Sequence, residues 1–167
     1  MFTTLNQIRS HLPCASGWKM LLSHLDKTIA DDEPLNIATI IDSNGLNDAQ
    51  WCLRAVDGKD KEIRLYAVWC ARQVHHLMTD KRSIDALDVA ERFANGEATQ
   101  EELPAARVAA SGATWEGTWC AASGAAWCVT SDTAWGAIWG AAWYSSSAQG
   151  DIDSLTAQEA RLRELCQ

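Results

Sequence analysis

The sequence lacks a surplus of basic residues. Its 14 Lys and Arg stand against 22 Asp and Glu, which gives a formal net charge of −8. Surfaces that bind nucleic acids need clustered cations, because the release of condensed counterions drives the binding. We therefore expect no direct contact with nucleic acid. An acidic chain is better suited to a basic partner, since long-range attraction raises the association rate.

A long apolar run is also missing. The nearest approach to one is residues 133–150, which carry no charge but contain too much Gly, Ser and Gln to insert stably into a bilayer. The opening residues MFTTLNQIRSHLPC have neither the basic flank nor the apolar core of a secretion signal. These absences predict a protein that has no membrane association and stays in the cytoplasm.

Motifs for catalysis and metal binding are missing too. None of the six cysteines forms a CxxC pair or lies at metal-ligand spacing from a histidine. His75 and His76 are adjacent, so on a helix they point about 100 degrees apart and cannot bind one ion together. The chain contains no HExxH, GxSxG or glycine-rich phosphate loop. We expect no enzymatic activity, no cofactor, no metal and reduced cysteines.

Four of the cysteines directly follow a tryptophan, at positions 52, 70, 120 and 128. The sequence shows no cation or helix start beside them that would stabilise a thiolate. We interpret these four cysteines as small apolar fillers next to buried indoles.

Helix start and stop signals are abundant. Apolar residues recur at spacings of three and four, and no segment sustains period-two alternation. The pattern predicts an all-α protein, a bundle of about eight or nine helices. The predicted elements of the first half are helices at residues 5–12, 35–42 and 60–78 and helices with N-caps at Ser16, Asn47 and Ser83. Two capping boxes, at residues 99–102 and 156–159, predict the start of a later helix and of the final one.

The composition changes sharply towards the C-terminus. Residues 108–150 contain two charged side chains, both acidic, and six of the nine tryptophans. We therefore divide the chain into an N-terminal helical bundle, residues 1–98, and a second part, residues 99–167. The second part is predicted to hold a tryptophan-rich helical hairpin and the C-terminal helix. The two parts are expected to pack as one globular unit.

Four eight-residue segments fill residues 119–150, and each opens with tryptophan: WCAASGAA, WCVTSDTA, WGAIWGAA and WYSSSAQG. A step of eight residues turns a helical side chain by about 80 degrees, so one unbroken helix could not bury every indole against one neighbour. We predict a break at residues 130–133 between two antiparallel helices, the second capped by Thr130, Ser131 or Asp132. A β-hairpin or an eight-residue solenoid is the alternative.

Most of these indoles are expected in the core. Those that stay exposed would form a binding face, because tryptophan is frequent at the hot spots of protein interfaces. The candidates are Trp135, Trp139 and Trp143, which share one helix face because a step of four turns the side chain by only about 40 degrees.

The central block of the chain carries a family resemblance. It reads LNDAQWCLRAV and then EIRLYAVWCARQVHHLMTDKRSIDALDVAERFANGEATQEELPAARVAA. Over residues 46–110 it resembles a family of small Ala-rich helical proteins encoded by phages and prophages, in which WCARxVxHL, DxRSxxAL and AERxAxGEATxEEL segments recur. More distantly, it is similar to a family of polymorphic-toxin immunity proteins. The resemblance implies a helical, non-enzymatic protein, carried by mobile DNA into a bacterial host, that binds and disables another protein.

The first functional hypothesis is a phage-type anti-defence inhibitor, for instance an anti-CRISPR protein, that binds a host protein or ribonucleoprotein complex. Two acidic groups are candidates for occupying a basic channel of that complex. They are the triplet Asp31, Asp32 and Glu33 and the helix surface that carries Asp85 and Asp88. The alternatives are an immunity or antitoxin-like protein that neutralises a toxin, and an assembly protein that forms a homo-oligomer through its tryptophans.

Overall fold

The computed structural model describes residues 1–116, 125–126, 128–149 and 152–167, and it confirms the predicted all-α class. Within these residues the structure defines nine α-helices and one two-stranded sheet, and residues 125–126 and 128–129 are helical as well. In chain order the elements are β1 (Phe2–Thr3), α1 (Leu5–Ser10), α2 (Ala15–His24), β2 (Leu35–Asn36), α3 (Ile37–Asn44), α4 (Leu46–Cys52), α5 (Asp60–Arg72), α6 (Lys81–Ala94), α7 (Glu102–Glu116), α8 (Ala134–Gln149) and α9 (Ile152–Leu165). Short 3₁₀ turns, Leu53–Ala55 and His75–Leu77, follow α4 and α5.

The described chain forms two compact units. The first contains residues 1–59 and 159–167, and the second contains residues 60–158. The boundary predicted between residues 98 and 99 lies inside the second unit, between α6 and α7. These two helices pack against each other, so the change in composition does not coincide with a change of unit.

The first unit contains α1–α4 and the small sheet. The strands β1 and β2 pair antiparallel, with Phe2 opposite Asn36. The sequence pattern predicts no strand here and places a helix at residues 35–42. That helix in fact begins at Ile37, because Asn36 is extended and its side chain accepts a hydrogen bond from the Ala38 amide at 2.9 Å. Almost fully buried side chains of this unit include Leu5, Ile8, Ile37, Ile40 and Leu53.

Two helices of the first unit begin upstream of their predicted N-caps. The cap of α2 is Cys14 rather than Ser16, since the Cys14 sulfur accepts a hydrogen bond from the Gly17 amide at 3.3 Å. The helix α4 begins directly after Gly45 rather than after Asn47. Statistical preference for a capping residue is therefore overridden where an earlier residue already has the extended or left-handed backbone that a helix start requires.

The helix α6 likewise begins before its predicted cap. Its N-cap is Asp80, whose carboxylate accepts a hydrogen bond from the Arg82 amide at 2.8 Å. A carboxylate at this end is also favoured by the helix dipole. Ser83, the predicted cap, is consequently buried inside the helix.

The two predicted capping boxes have different outcomes. Before α7 the Thr99 hydroxyl accepts a hydrogen bond from the Glu102 amide at 3.4 Å, and the Glu102 carboxylate accepts one from the Thr99 amide at 2.7 Å. This first box is confirmed, and the Thr99 amide lowers the pKa of Glu102. The second box is wrong, because α9 already begins at Ile152 and Thr156 lies inside it.

The helix α5 is central to the second unit and packs against α6 and α8. It ends at Arg72 rather than at the predicted Met78, and the 3₁₀ turn His75–Leu77 follows it. Its almost fully buried side chains include Ile63, Tyr66, Ala67, Cys70 and Ala71. The burial agrees with the wide apolar face that the sequence predicts for a largely surrounded helix.

The break predicted in the tryptophan segments is confirmed. Residues 128 and 129 are helical, residue 130 lies in a turn and α8 begins at Ala134. The residue that caps α8 is Thr133, which accepts a hydrogen bond from the Gly136 amide at 3.0 Å, and not one of the three predicted residues. A Cβ on Gly140 would collide with the Cys128 sulfur, so small residues do permit close approach here. Residues 117–124 and 127 of the predicted hairpin lie outside the described residues.

A buried arginine donates hydrogen bonds to the backbone at this break between the helices. Arg64 on α5 is 4% exposed, and its guanidinium donates to the backbone carbonyls of Val129 at 3.1 Å, Ser131 at 2.8 Å and Asp132 at 3.2 Å. Burial lowers the pKa of Arg64. The Val129 carbonyl lies at the end of a helix, where it has no partner within that helix, and the carbonyls of Ser131 and Asp132 lie in the break. Arg64 therefore supplies hydrogen bonds to all three from a distant part of the sequence.

Candidate protein-binding surface

The predicted acidic triplet of the first unit is tied to a lysine close to it in sequence. The Lys27 Nζ lies 2.5 Å from the Asp31 carboxylate and 2.6 Å from that of Glu33. The hydrogen bond between Lys27 and Asp31 lowers the pKa of Asp31 and raises that of Lys27. Asp32 accepts a hydrogen bond from the Asn6 side chain at 2.9 Å. The triplet is therefore a locally satisfied cluster rather than three free carboxylates.

The acidic residues predicted on α6 are paired as well. The Lys81 Nζ lies 2.6 Å from the Asp85 carboxylate, and the Arg72 guanidinium lies 3.0 Å from that of Asp88 and also contacts Glu91. Exposed pairs of this kind contribute only about 0–1 kcal/mol to stability, so a partner could displace them. Each carboxylate nevertheless has a cation beside it, which reduces the negative field that the surface presents to a basic channel.

The predicted tryptophans lie on α8, in the second unit together with Asp85 and Asp88, whereas the acidic triplet belongs to the first unit. Trp143 is 65% exposed, so its indole is accessible to a partner. The structure describes the helical backbone of Trp135 and Trp139 but not the placement of their side chains. Exposure is thus shown for one of the three candidates, and its role in binding stays a prediction.

An apolar groove in the first unit is a feature that the sequence analysis misses. Its volume is about 540 Å³, and its lining includes Leu12, Pro13, Trp18, Leu22 and Ile29. Trp18 and Leu22 lie on α2 and are partly buried, while Leu12 and Ile29 are 87% and 73% exposed. Both side chains line the same groove, which makes the groove a candidate interaction site.

Leu12 is held in a backbone conformation that leucine rarely adopts. Its φ is +56°, and its amide donates to the Arg9 carbonyl at 3.0 Å, which closes the end of α1. Glycine is the usual residue at such a left-handed position after a helix. A residue with a Cβ costs about 1–2 kcal/mol there, and a largely exposed side chain recovers little of this by burial. Strain of this kind is concentrated at functional sites.

The cysteines that follow tryptophans are buried where the structure describes them. Burial raises the pKa of the Cys52 thiol to about 12 and that of Cys128 to about 11, and it also raises the pKa of Cys70. A raised pKa keeps these thiols protonated at neutral pH, which agrees with the filler interpretation. Cys120, the fourth of this group, lies outside the described residues.

Cys14 behaves differently from the other described cysteines. It is exposed at the start of α2, and hydrogen bonds from the Ser16 hydroxyl and the Gly17 amide lower the pKa of its thiol. Cysteine is not one of the usual capping residues, so no signal in the sequence singles out Cys14.

Comparisons with family models, curated proteins and solved structures find no match for this chain. Among the described residues, no group of three His, Cys, Asp or Glu side chains could hold a metal ion. No helix in the part of the chain that the structure describes is long and apolar enough to cross a membrane. Function is therefore inferred from the surfaces of the chain and from its sequence resemblance.

Proposed function

We propose that the protein is a non-enzymatic, anti-CRISPR-like inhibitor of the anti-defence type that binds a host protein complex through the apolar groove of its first unit. The observation that carries this proposal is Leu12, a strained residue whose apolar side chain is 87% exposed. Leucine at this position does little for the isolated chain, so its value lies in contact with a partner. The resemblance of residues 46–110 to phage-encoded proteins supports a host defence complex as that partner.

Apolar contact explains the surface better than charge mimicry does. The carboxylates of Asp31 and Glu33 are paired with Lys27, and Asp85 is paired with Lys81. A complex held by free carboxylates would weaken strongly as salt rises from about 50 to about 500 mM, because screening shortens the range of the attraction. We expect the complex with the host target to persist over this range.

Phage plating on a host with an active CRISPR defence tests the proposal. Expression of the wild-type protein should raise plaque formation, and the double variant Leu12→Asp with Ile29→Asp should abolish that effect by placing two charges in the groove. Val108→Asp is the matched control, since Val108 is 74% exposed on α7 in the other unit. The control should retain full activity, and all variants should keep the wild-type circular dichroism spectrum.

The result separates the hypotheses. If the variant with Leu12→Asp and Ile29→Asp kept its activity, binding through the groove would be contradicted. If the variant with Asp31→Asn and Glu33→Gln lost its activity, charge mimicry would be favoured instead. If the wild-type protein left plaque formation unchanged against every defence system of its host and protected cells from a co-expressed toxin, the immunity alternative would be correct.

The exposure of Trp143 favours one second candidate, self-association through the tryptophan segments. A homo-oligomer that packs through this indole would dissociate in the variant Trp143→Ala. Light scattering after size-exclusion chromatography measures this directly, and a monomeric wild-type protein would exclude the candidate.

A further inference from the structure

A second cavity of the first unit lies among α2, α3 and α4. Its volume is about 150 Å³, and its apolar lining includes Leu21 and Ile40 together with the indoles of Trp18 and Trp51. An apolar cavity of this size holds one benzene-sized group. The cavity therefore fits the apolar part of a small ligand and not a peptide segment.

One carboxylate lines this otherwise apolar cavity. The Asp48 Oδ2 accepts a hydrogen bond from the Asn44 side-chain nitrogen at 2.8 Å, and the same nitrogen donates to the Gly17 carbonyl at 2.9 Å. Asn44 therefore fixes Asp48 in position against α2. Within the described chain, no lysine or arginine pairs with Asp48, and its Oδ1 accepts no hydrogen bond. A fixed carboxylate of this kind favours a cationic hydrogen-bond donor.

The lack of a side chain at Gly17 on α2 leaves room for the Asp48 carboxylate. A Cβ at Gly17 would lie 2.7 Å from the Asp48 Oδ2 and 3.2 Å from the Cys14 sulfur. Any other residue would therefore displace the carboxylate or the thiol. Cys14 also lines the cavity, so the reactivity of its thiol can report on a bound ligand.

The Trp18 indole adds a second attraction for a cation. The face of a tryptophan ring attracts positive charge, and the face of Trp51 is already taken by Arg54, whose guanidinium lies 4.1 Å from the ring centroid. Trp18 lines the cavity from α2, and no cation–π contact to its ring is found within the described residues. The site thus combines an apolar volume, an aromatic wall and one carboxylate.

We propose that this cavity binds a small organic amine, with its apolar group among Leu21, Ile40 and the two indoles and its protonated nitrogen on Asp48. The ligand class follows from size and charge: a benzene-sized group fills the volume, and a primary ammonium supplies the donor that Asp48 can accept. This site shares Pro13 and Trp18 with the protein-binding groove, but the argument for an amine ligand does not rest on the proposed function.

Benzylamine and benzyl alcohol form the test pair, because they have nearly the same size and differ in charge at pH 7. Binding is measured by calorimetry and, separately, by the rate at which iodoacetamide alkylates Cys14, followed by peptide mass spectrometry. Benzylamine should bind saturably and slow the alkylation of Cys14, whereas benzyl alcohol should bind more weakly. The variant Asp48→Asn should weaken the binding of benzylamine about tenfold, as expected for the loss of one hydrogen bond to a charged group.

The matched control is Asp26→Asn, which makes the same change at an exposed position of the same unit that does not line the cavity. It should leave benzylamine binding unchanged. Absence of saturable binding and of Cys14 protection in the wild-type protein would overturn the site. Equal affinities for benzylamine and benzyl alcohol would overturn the amine assignment, and this comparison uses only the wild-type protein.

Discussion

Arg64 is the residue whose replacement should most clearly reveal how the second unit is held together. In Arg64→Met the apolar part of the side chain is kept, and three backbone carbonyls lose their donor. The hydrogen bond to Val129 is buried, and an unsatisfied buried carbonyl costs about 1–3 kcal/mol. The carbonyls of Ser131 and Asp132 are partly accessible to water and add less. We expect a total loss of about 2–4 kcal/mol.

Urea unfolding followed by circular dichroism measures this loss. With a slope of about 2 kcal/mol/M, the midpoint should fall by about 1–2 M in Arg64→Met. Arg64→Lys should recover part of the stability, because an ammonium can donate to one or two of the carbonyls but cannot span all three. Arg161→Met is the control, since Arg161 makes an exposed pair with Glu164 and should change stability by less than about 1 kcal/mol. Similar midpoints for Arg64→Met and Arg161→Met would refute the capping role.

Three further predictions concern single side chains. Gly140→Ala should destabilise the protein by about 1–3 kcal/mol, because the added Cβ would collide with Cys128. At Gly112 the atom nearest to an added Cβ is the flexible end of an arginine, so Gly112→Ala should stabilise the protein by up to about 1 kcal/mol. Thermal unfolding of both variants checks the contrast, and equal losses would contradict it. Ser83→Ala should raise the free energy of unfolding by about 1 kcal/mol, since the buried hydroxyl has no hydrogen-bond partner among the described residues. A lower free energy of unfolding in urea would contradict this and indicate that the hydroxyl makes a hydrogen bond. Cys14 should be alkylated with a midpoint at lower pH than in the urea-unfolded chain, because its pKa is lowered in the folded state; coincident pH profiles would rule this out.

Local signals in the sequence predicted much of the fold. The periodicity of apolar residues indicated the all-α class, and the capping box of Thr99 and Glu102 forms with the hydrogen bonds expected of it. The break near residue 130 followed from the geometry of a helix, because eight residues do not return a side chain to the same face. Each of these inferences depends on interactions between residues within about one or two helical turns of each other. Such residues are close in sequence, so their interactions can be predicted from the sequence.

Helix starts were less predictable, although they are also local. Ser16 and Ser83 are good capping residues, yet Cys14 and Asp80 take the role. The capping preference identifies residues that can begin a helix. The backbone conformation before the helix decides which of them does. The pairing of Lys27 with Asp31, four residues apart, is a signal that could have been used to question the acidic triplet.

The candidate surfaces depend on contacts that sequence order does not contain. Leu12 is exposed because the chain turns after α1, and the groove beside it forms only when α2 and the segment around Ile29 come together. Arg64 meets carbonyls that are 65 to 68 residues away. Composition and periodicity therefore determine which segments become helices, whereas exposure, long-range capping and the shape of a cavity arise when those helices pack. The physical reason is that helix formation is decided by neighbours along the chain, and burial by neighbours in space.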